Sequence, residues 1–373
     1  MKILFWVSVS AIFYVYAVYP VVIYVWGTFF RRFAAKSYDT YPLSVVLAVR
    51  DEEQRIAGRI ENLLDQEYPP ELIEIIVVSD GSVDRTAEIA RNFEDERIKV
   101  IELDRPGGKA AAINAGVQAA SNEIIVFADA RQDFSRNAYA ELVSMFHDEK
   151  VGAVSGELVF VEGEGGEMRE GVGLYWKYEK LIRRKESAAD SVVGASGSIY
   201  AIRKSLFSPL PPYTILDDFL LPMRIVLKGY RVLFIRSAKA FDRVSPNASR
   251  EFKRKVRTLA GNFQAVKLEP ALLDPRRNRL FFQLVSHKLG RLFVPYFCLA
   301  ALVADFQIAG AFYRFLLVLQ ILFYASALLK FTPLGRKSCG GVFRVAWTFI
   351  VLNAAAVGGL IVFATGREKA VWR

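Results

Sequence analysis

The chain has only two cysteines in 373 residues, Cys298 in an apolar run and Cys339 in a polar stretch near the end. Neither a disulfide framework nor a cysteine zinc cluster is available. No G-x-x-x-x-G-K-[ST] is present, and no G-x-G-x-x-G follows the first expected strand, so the two familiar phosphate loops are excluded as a nucleotide site. There is no internal repeat and no low-complexity tract. From Ile3 to Phe30 there is no charged residue at all.

That charge-free run is about 28 residues long, enough to cross a bilayer core of roughly 30 Å. It ends on Arg31-Arg32 rather than on a small-residue cleavage site, which favours an anchor over a secretory signal. A second apolar block reads as three segments, 292–304, 315–331 and 342–364, the first of them short unless it begins inside 281–289. Just before it, "LFFQLVSHKLGRLF" mixes apolar residues with Gln283, His287, Lys288 and Arg291. This suits a helix lying in the interface with its basic side chains snorkelling.

Hydrophobic residues make up 53% of the chain and the net charge is +10, with a pI near 9.4 and a mean hydropathy of +0.23. The basic residues gather beside the apolar segments, so anionic membrane lipid is the expected partner, and not nucleic acid. Arg31, Arg32 and Lys36 follow the first segment, and Arg276, Arg277, Arg279, Lys288 and Arg291 precede the second block. Both sets flank the central region, which the positive-inside rule therefore places in the cytoplasm of a multi-pass protein of the cell inner (plasma) membrane. Arg336 and Lys337 fit that side, whereas a third late crossing would put Arg367, Lys369 and Arg373 outside. The expected organisation is an N-terminal transmembrane helix (1–30), a catalytic domain (41–266), an amphipathic interfacial region (267–291) and C-terminal transmembrane helices (292–373).

The middle changes pattern. "LSVVLAV", "EIIVVSD", "RIKVIEL" and "EIIVFAD" read as strands, alternating with helices in "EEQRIAGRIENLLDQ", "RTAEIARNF" and "GKAAAINAGVQAA". This alternation implies an α/β fold with a mostly parallel sheet and helices on both faces, whose ligands bind at the carboxyl ends of the strands. Asp51, Asp80 and Asp129 stand at such ends. Arg105, Gly107, Gly108 and Lys109 form a short basic glycine turn opening a helix, a place where backbone N–H groups and one cation can hold a diphosphate. Asp84 reads as a helix cap. The glycine-rich run "VEGEGGEMREG" reads as a mobile loop.

Six blocks in order, "VRDEE", "VVSDGSVDRT", "PGGKAAAINAG", "FADARQDF", "TILDDF" and "EFKRKVRTLAG", resemble family 2 glycosyltransferases. The closest likeness is to the membrane-integrated synthases of the cellulose, chitin and hyaluronan type. The resemblance implies a GT-A fold, a UDP-sugar donor, a divalent cation (Mg2+ or Mn2+) and inversion at the anomeric carbon, with transfer of a hexose or N-acetylhexosamine to a polysaccharide or lipid-linked acceptor. It assigns Asp80 and Glu52 to the nucleoside, with Gly81 letting the backbone approach. Asp129 is assigned to the metal, Asp218 to the general base, and Arg257 to the leaving diphosphate, with Arg254 beside it in the donor site.

The chain departs from the family pattern in places. The usual Asp-x-Asp is here Asp129-Ala130-Arg131, and a guanidinium has no lone pair for a metal. Asp129 holds the ion with diphosphate oxygens and water, or Asp133 joins as second ligand, or Arg131 replaces the ion's charge. Asp217 is counted with Asp218 and Arg257 in the catalytic site, and is also expected to cap the helix that Asp218 opens. The family's Gln and Trp of the sixth block are absent, which weakens the expectation of processive synthesis. About four membrane segments are few for a polymer channel, which leaves room for a homo-oligomer. The rival reading is a catalytically silent membrane scaffold that keeps a nucleotide-sugar site as a sensor.

Overall fold

The computed structural model describes residues 1–161, 170–243, 248–328 and 341–366. The basic residues Arg336, Lys337, Arg367, Lys369 and Arg373, Cys339 and most of the glycine-rich run after Val161 lie outside the described residues. Eight strands are present: β1 (Leu43–Val49), β2 (Ile73–Ser79), β3 (Ile98–Glu102), β4 (Ile124–Ala128), β5 (Asp133–Phe134), β6 (Val151–Val161), β7 (Ile199–Arg203) and β8 (Arg231–Arg243). The helices that matter to the argument are α1 (Lys2–Phe29), α2 (Ile56–Leu64), α3 (Thr86–Arg91), α4 (Lys109–Ala119), α5 (Ala138–Val143), α6 (Glu170–Ala189), α7 (Asp217–Leu227) and α8 (Ala248–Leu268). Three apolar helices follow, α9 (Phe281–Phe306), α10 (Ala311–Leu328) and α11 (Gly341–Ala364).

The strands form one sheet in the order β3-β2-β1-β4-β7-β6-β8-β5. The first four run parallel, and antiparallel β7 then joins β4 to the rest. Every position of β1 is buried, as a strand covered on both faces requires. Its odd-numbered residues, such as Val45 and Leu47, pack with Ile56, Ile60 and Leu63 of α2. Its even-numbered residues, Val46 and Ala48, pack with Ala112, Ile113 and Val117 of α4. The two-residue period of the strand thus separates two cores on opposite faces. β1 is followed outward by β2 and β3 on one side, and β4 lies on its other side. The order reverses there, which opens a crevice at the carboxyl ends of β1 and β4.

Among the described residues three helices, Lys2–Phe29, Phe281–Phe306 and Val345–Ala364, are long and apolar enough to cross a membrane. One expectation is revised here. The stretch from Phe281 to Leu289 is continuous with the apolar segment after it, through a locally widened turn at Leu284–Leu289. The apolar segment expected from 292 therefore starts at Phe281. Its polar side chains are not spread along an interface but engage α6: His287 reaches Glu186 at 2.7 Å and Glu179 at 2.9 Å, and Arg291 reaches Glu179 at 2.6 Å. α8 lies against α11, where Val256, Leu259 and Ala260 meet Gly358 and Gly359.

Candidate active site

Asp129 is the residue after β4, at the switch point of the sheet. Lys109 opens α4 and Asp217 opens α7, so three element ends meet. The Lys109 ammonium lies 2.9 Å from Asp129 Oδ1 and 3.2 Å from Asp217 Oδ1. Burial alone would lower the lysine's pKa, but Asp129 and Asp217 outweigh it and hold the group protonated, with a raised pKa. An ammonium has three donors. Two are spent on these carboxylates, and one remains for an anionic oxygen. Asp217 Oδ2 accepts from the Tyr200 hydroxyl at 2.8 Å. The expected capping role of Asp217 is corrected: the N-cap of α7 is Leu216, with no side-chain cap bond. Asp217 lies inside the first turn because Lys109 and Tyr200 draw its carboxylate into the crevice.

Asp218 faces the same crevice. No hydrogen bond or ion pair to its carboxylate is made among the described residues. Gly197 lies against it so closely that a Cβ there would meet Asp218 Oδ2 at 2.8 Å. Any other residue at 197 would push the carboxylate aside. Burial, then the neighbouring charge of Asp217, raises the Asp218 pKa to about 6, against the opposing pull of Lys109 and Lys288. A carboxylate with free lone pairs and a pKa near working pH is suited to accept a proton. Ionised above about 6 and protonated below, it would, if it serves as the base, give kcat/KM an acid limb that rises through pH 6 to a plateau. A pH–rate profile measured with saturating metal checks this. A limb near pH 4 would place the base elsewhere.

Asp80 is wholly buried. Its two oxygens accept from the backbone N–H groups of Gly107 and Gly108 at 2.7 and 2.9 Å. Its visible work is to shape the glycine turn that delivers Lys109. Gly81 has a φ of +59°, and a Cβ there would come within 2.7 Å of the Pro106 nitrogen. The positive φ and the close approach both require glycine. Glu52 is half-buried and pairs with Arg55 at 2.6 Å, while its backbone N–H donates to Thr86. The expected cap at Asp84 is corrected: the N-cap of α3 is Arg85, with no side-chain cap bond, and Asp84, one residue ahead of it, accepts from the Thr86 N–H at 3.0 Å.

Arg257 projects from α8 toward Asp217, Asp129 and Asp218. Burial lowers its pKa and those three charges oppose the loss. It makes no hydrogen bond or ion pair among the described residues, so its donors are free for an anion. Arg254 points elsewhere, pairing with Glu251 at 2.8 Å. Arg131 is bound to Asp242 at 3.3 Å, and Asp133 is exposed on β5. Among the described residues no group of three or more potential ligands is gathered for a metal. The protein side offers the Asp129 carboxylate alone. That fits an ion carried in largely by phosphate oxygens and water, since Mg2+ is commonly held by one or two carboxylates plus substrate phosphates.

Three supporting side chains escape sequence reasoning. Arg59 of α2 is buried and donates from Nε to the Asp129 carbonyl at 2.9 Å, stacking over Phe134. Burial lowers its pKa to about 10, still far above neutrality. Arg183 of α6 donates to the hydroxyls of Ser196 and Ser155 at 2.8 and 3.0 Å, which fixes the loop carrying Gly197. Lys288 of α9 approaches the Phe219 ring at 5.6 Å. The helical spacing of Arg59 with apolar neighbours gave no sign that it turns inward.

Residues 44–210 match the family model described as glycosyl transferase family 2. Among curated proteins, the chain is 24% identical over 264 residues to the probable glycosyltransferase YdaM of Bacillus subtilis, covering 65% of this chain and 60% of that protein. It is 25% identical over 237 residues to poly-beta-1,6-N-acetyl-D-glucosamine synthase of Staphylococcus aureus, covering 60% and 55%. The chain thus matches 55% to 60% of the length of these relatives. Among solved structures, a mannosyltransferase from Pyrobaculum calidifontis, in complex with GDP-Man and Mn2+, superimposes with a TM-score of 0.75. It is 18% identical and covers 98% of this chain and 99% of its own. That likeness carries the fold, a GT-A sheet with apolar helices.

Proposed function

We propose that this chain, whose residues 44–210 form a family 2 glycosyltransferase domain, is a membrane-integrated inverting transferase. It moves a hexose or N-acetylhexosamine from a nucleoside-diphosphate sugar, expected to be a UDP-sugar, onto a polysaccharide or lipid-linked acceptor on the cytoplasmic side. The observation that carries this reading is the meeting of Asp129, Asp217 and Asp218 around Lys109, faced by the free guanidinium of Arg257.

In the proposed reaction an acceptor hydroxyl lies against Asp218, which takes its proton. The acceptor oxygen forms a bond to the anomeric carbon from one side. The bond from that carbon to the diphosphate oxygen breaks on the other, and the nucleoside diphosphate leaves with the electron pair. Lys109 and Arg257 face the charge that builds on the leaving group. A divalent ion held at Asp129, when bound, supplies further neutralisation of the diphosphate. Asp80 acts on the turn that positions Lys109, and Glu52 borders the same crevice. Asp133 would have to leave β5 to reach the ion, and Arg131 would have to leave Asp242. The silent-scaffold reading gives no reason for a carboxylate left unpaired beside Lys109.

The test is transfer by the purified full chain in detergent, offered a panel of UDP- and GDP-sugars, with mass analysis of products. One added sugar or a ladder supports the reading, and no transfer from any donor sinks it. With excess chelator, turnover is expected to fall by on the order of a hundredfold, because charge stabilisation by a metal contributes several kcal/mol. Full turnover under chelation would instead assign the charge to Arg131.

A further inference from the structure

We infer that the acceptor is a lipid carrying a phosphate, and that Lys288 is the side chain that holds this phosphate beside Asp218. The inference deepens the proposed transferase reading by naming its acceptor class. Lys288 lies in the widened turn of α9, within a helix apolar enough to enter a membrane. Its ammonium stands 5.6 Å from the ring of Phe219, the residue after Asp218, and its charge acts on Asp218. It makes no hydrogen bond or ion pair among the described residues. By contrast, its neighbour His287 is spent on Glu179 and Glu186, and Arg291 on Glu179. Glu179 and Asp218 act on the Lys288 charge only at a distance, so its donors stay open to an anion, and a polysaccharide of neutral sugars offers none.

The apolar part of such an acceptor also has a place. The membrane helices enclose a cavity of about 380 Å³ lined by Phe13, Tyr16, Phe323, Tyr324 and Phe349. The Tyr16 carbonyl in that wall accepts from Tyr178 at 3.0 Å, and the Tyr178 ring lies 5.6 Å from Arg291, one turn beyond Lys288. One helix carries both features: α9 holds Lys288 near its start and lines the cavity with Cys298 and Ala301, about 15–20 Å further along its axis at 1.5 Å per residue. This matches a lipid tail, a phosphate head and a reacting hydroxyl.

The test uses the full chain in detergent without donor, with affinities read by native mass spectrometry. The probes are farnesyl diphosphate bearing one N-acetylhexosamine, the same farnesyl glycoside lacking phosphate, the dimethylallyl version of the first, and inorganic pyrophosphate. The phosphorylated farnesyl lipid is expected to bind on the order of tenfold more tightly than the neutral one, as a hydrogen bond to a charged group allows. Lys288→Met should erase that preference and Lys288→Arg restore it, while both keep nucleotide binding as proof of folding. Equal affinity for the two farnesyl probes, or a preference that survives Lys288→Met, overturns the proposal. Pyrophosphate binding as well as the lipid, or no gain from dimethylallyl to farnesyl, overturns the part assigned to the cavity. If no acceptor is glycosylated when donor is added, the transferase reading fails, yet the binding contrast still decides the role of Lys288.

Discussion

Replacing Asp218 by Asn is expected to cut sugar transfer by on the order of a thousandfold, the usual contribution of general base catalysis, while nucleotide affinity stays within about threefold. The contrast follows from where this carboxylate stands. It is not one of the Lys109 ligands, and it makes no hydrogen bond or ion pair among the described residues. Its removal therefore opens no ion pair and leaves the glycine turn intact. The amide is nearly isosteric, so the contact with Gly197 also persists. What goes is the lone pair to which the proposed reaction assigns the acceptor's proton. The remaining slow turnover should lose its acid limb near pH 6, because the group that titrates there is gone. Parallel loss of nucleotide binding and transfer would show that Asp218 holds the site together rather than acting on the acceptor.

Much of the catalytic layer was legible because strands announce themselves by β-branched runs that stop on a carboxylate. "EIIVFAD" gives β4 and places Asp129 at its tip, and "PGGKAAAINAG" gives the turn that begins α4. The alternation of strand and helix then allows few topologies, and the parallel order around β1 is the commonest of them. Less legible were the partners, because they come from other elements. Nothing in "TILDDF" shows that Tyr200, on β7, takes Asp217 away from the cap. Nothing near Asp80 shows that its two oxygens are bound by Gly107 and Gly108 from a loop more than twenty residues on. Arg131 looked available as a phosphate binder because Asp242 is far along the chain. Composition led the reading of Phe281–Leu289 toward an interfacial helix. His287, and Arg291 just beyond it, are instead paired inward with Glu179 and Glu186 of α6, so the apolar outer face runs on without a break.

Lys109→Met is expected to be the more damaging substitution, because it removes one cation from among three acids. Asp129 and Asp217 lose a common partner, and Asp217 is left almost fully buried. Stripping one member from a buried ion pair typically costs about 3–5 kcal/mol, enough to lower the melting temperature by several degrees in a chain of this size. The second consequence concerns proton affinity. Of the two cations that pull the Asp218 pKa down, Lys109 has the larger effect. Without it, only Lys288 still opposes the neighbouring carboxylates, and the pKa rises above 6. The acid limb of the pH–rate profile then moves to higher pH, and raising the pH recovers part of the lost activity. Lys109→Arg keeps the charge but not the compact ammonium, so it should restore the position of the limb better than it restores the rate. A melting curve and a pH–rate profile on the two variants separate these effects. An unshifted limb in Lys109→Met would mean that the lysine serves the leaving group alone.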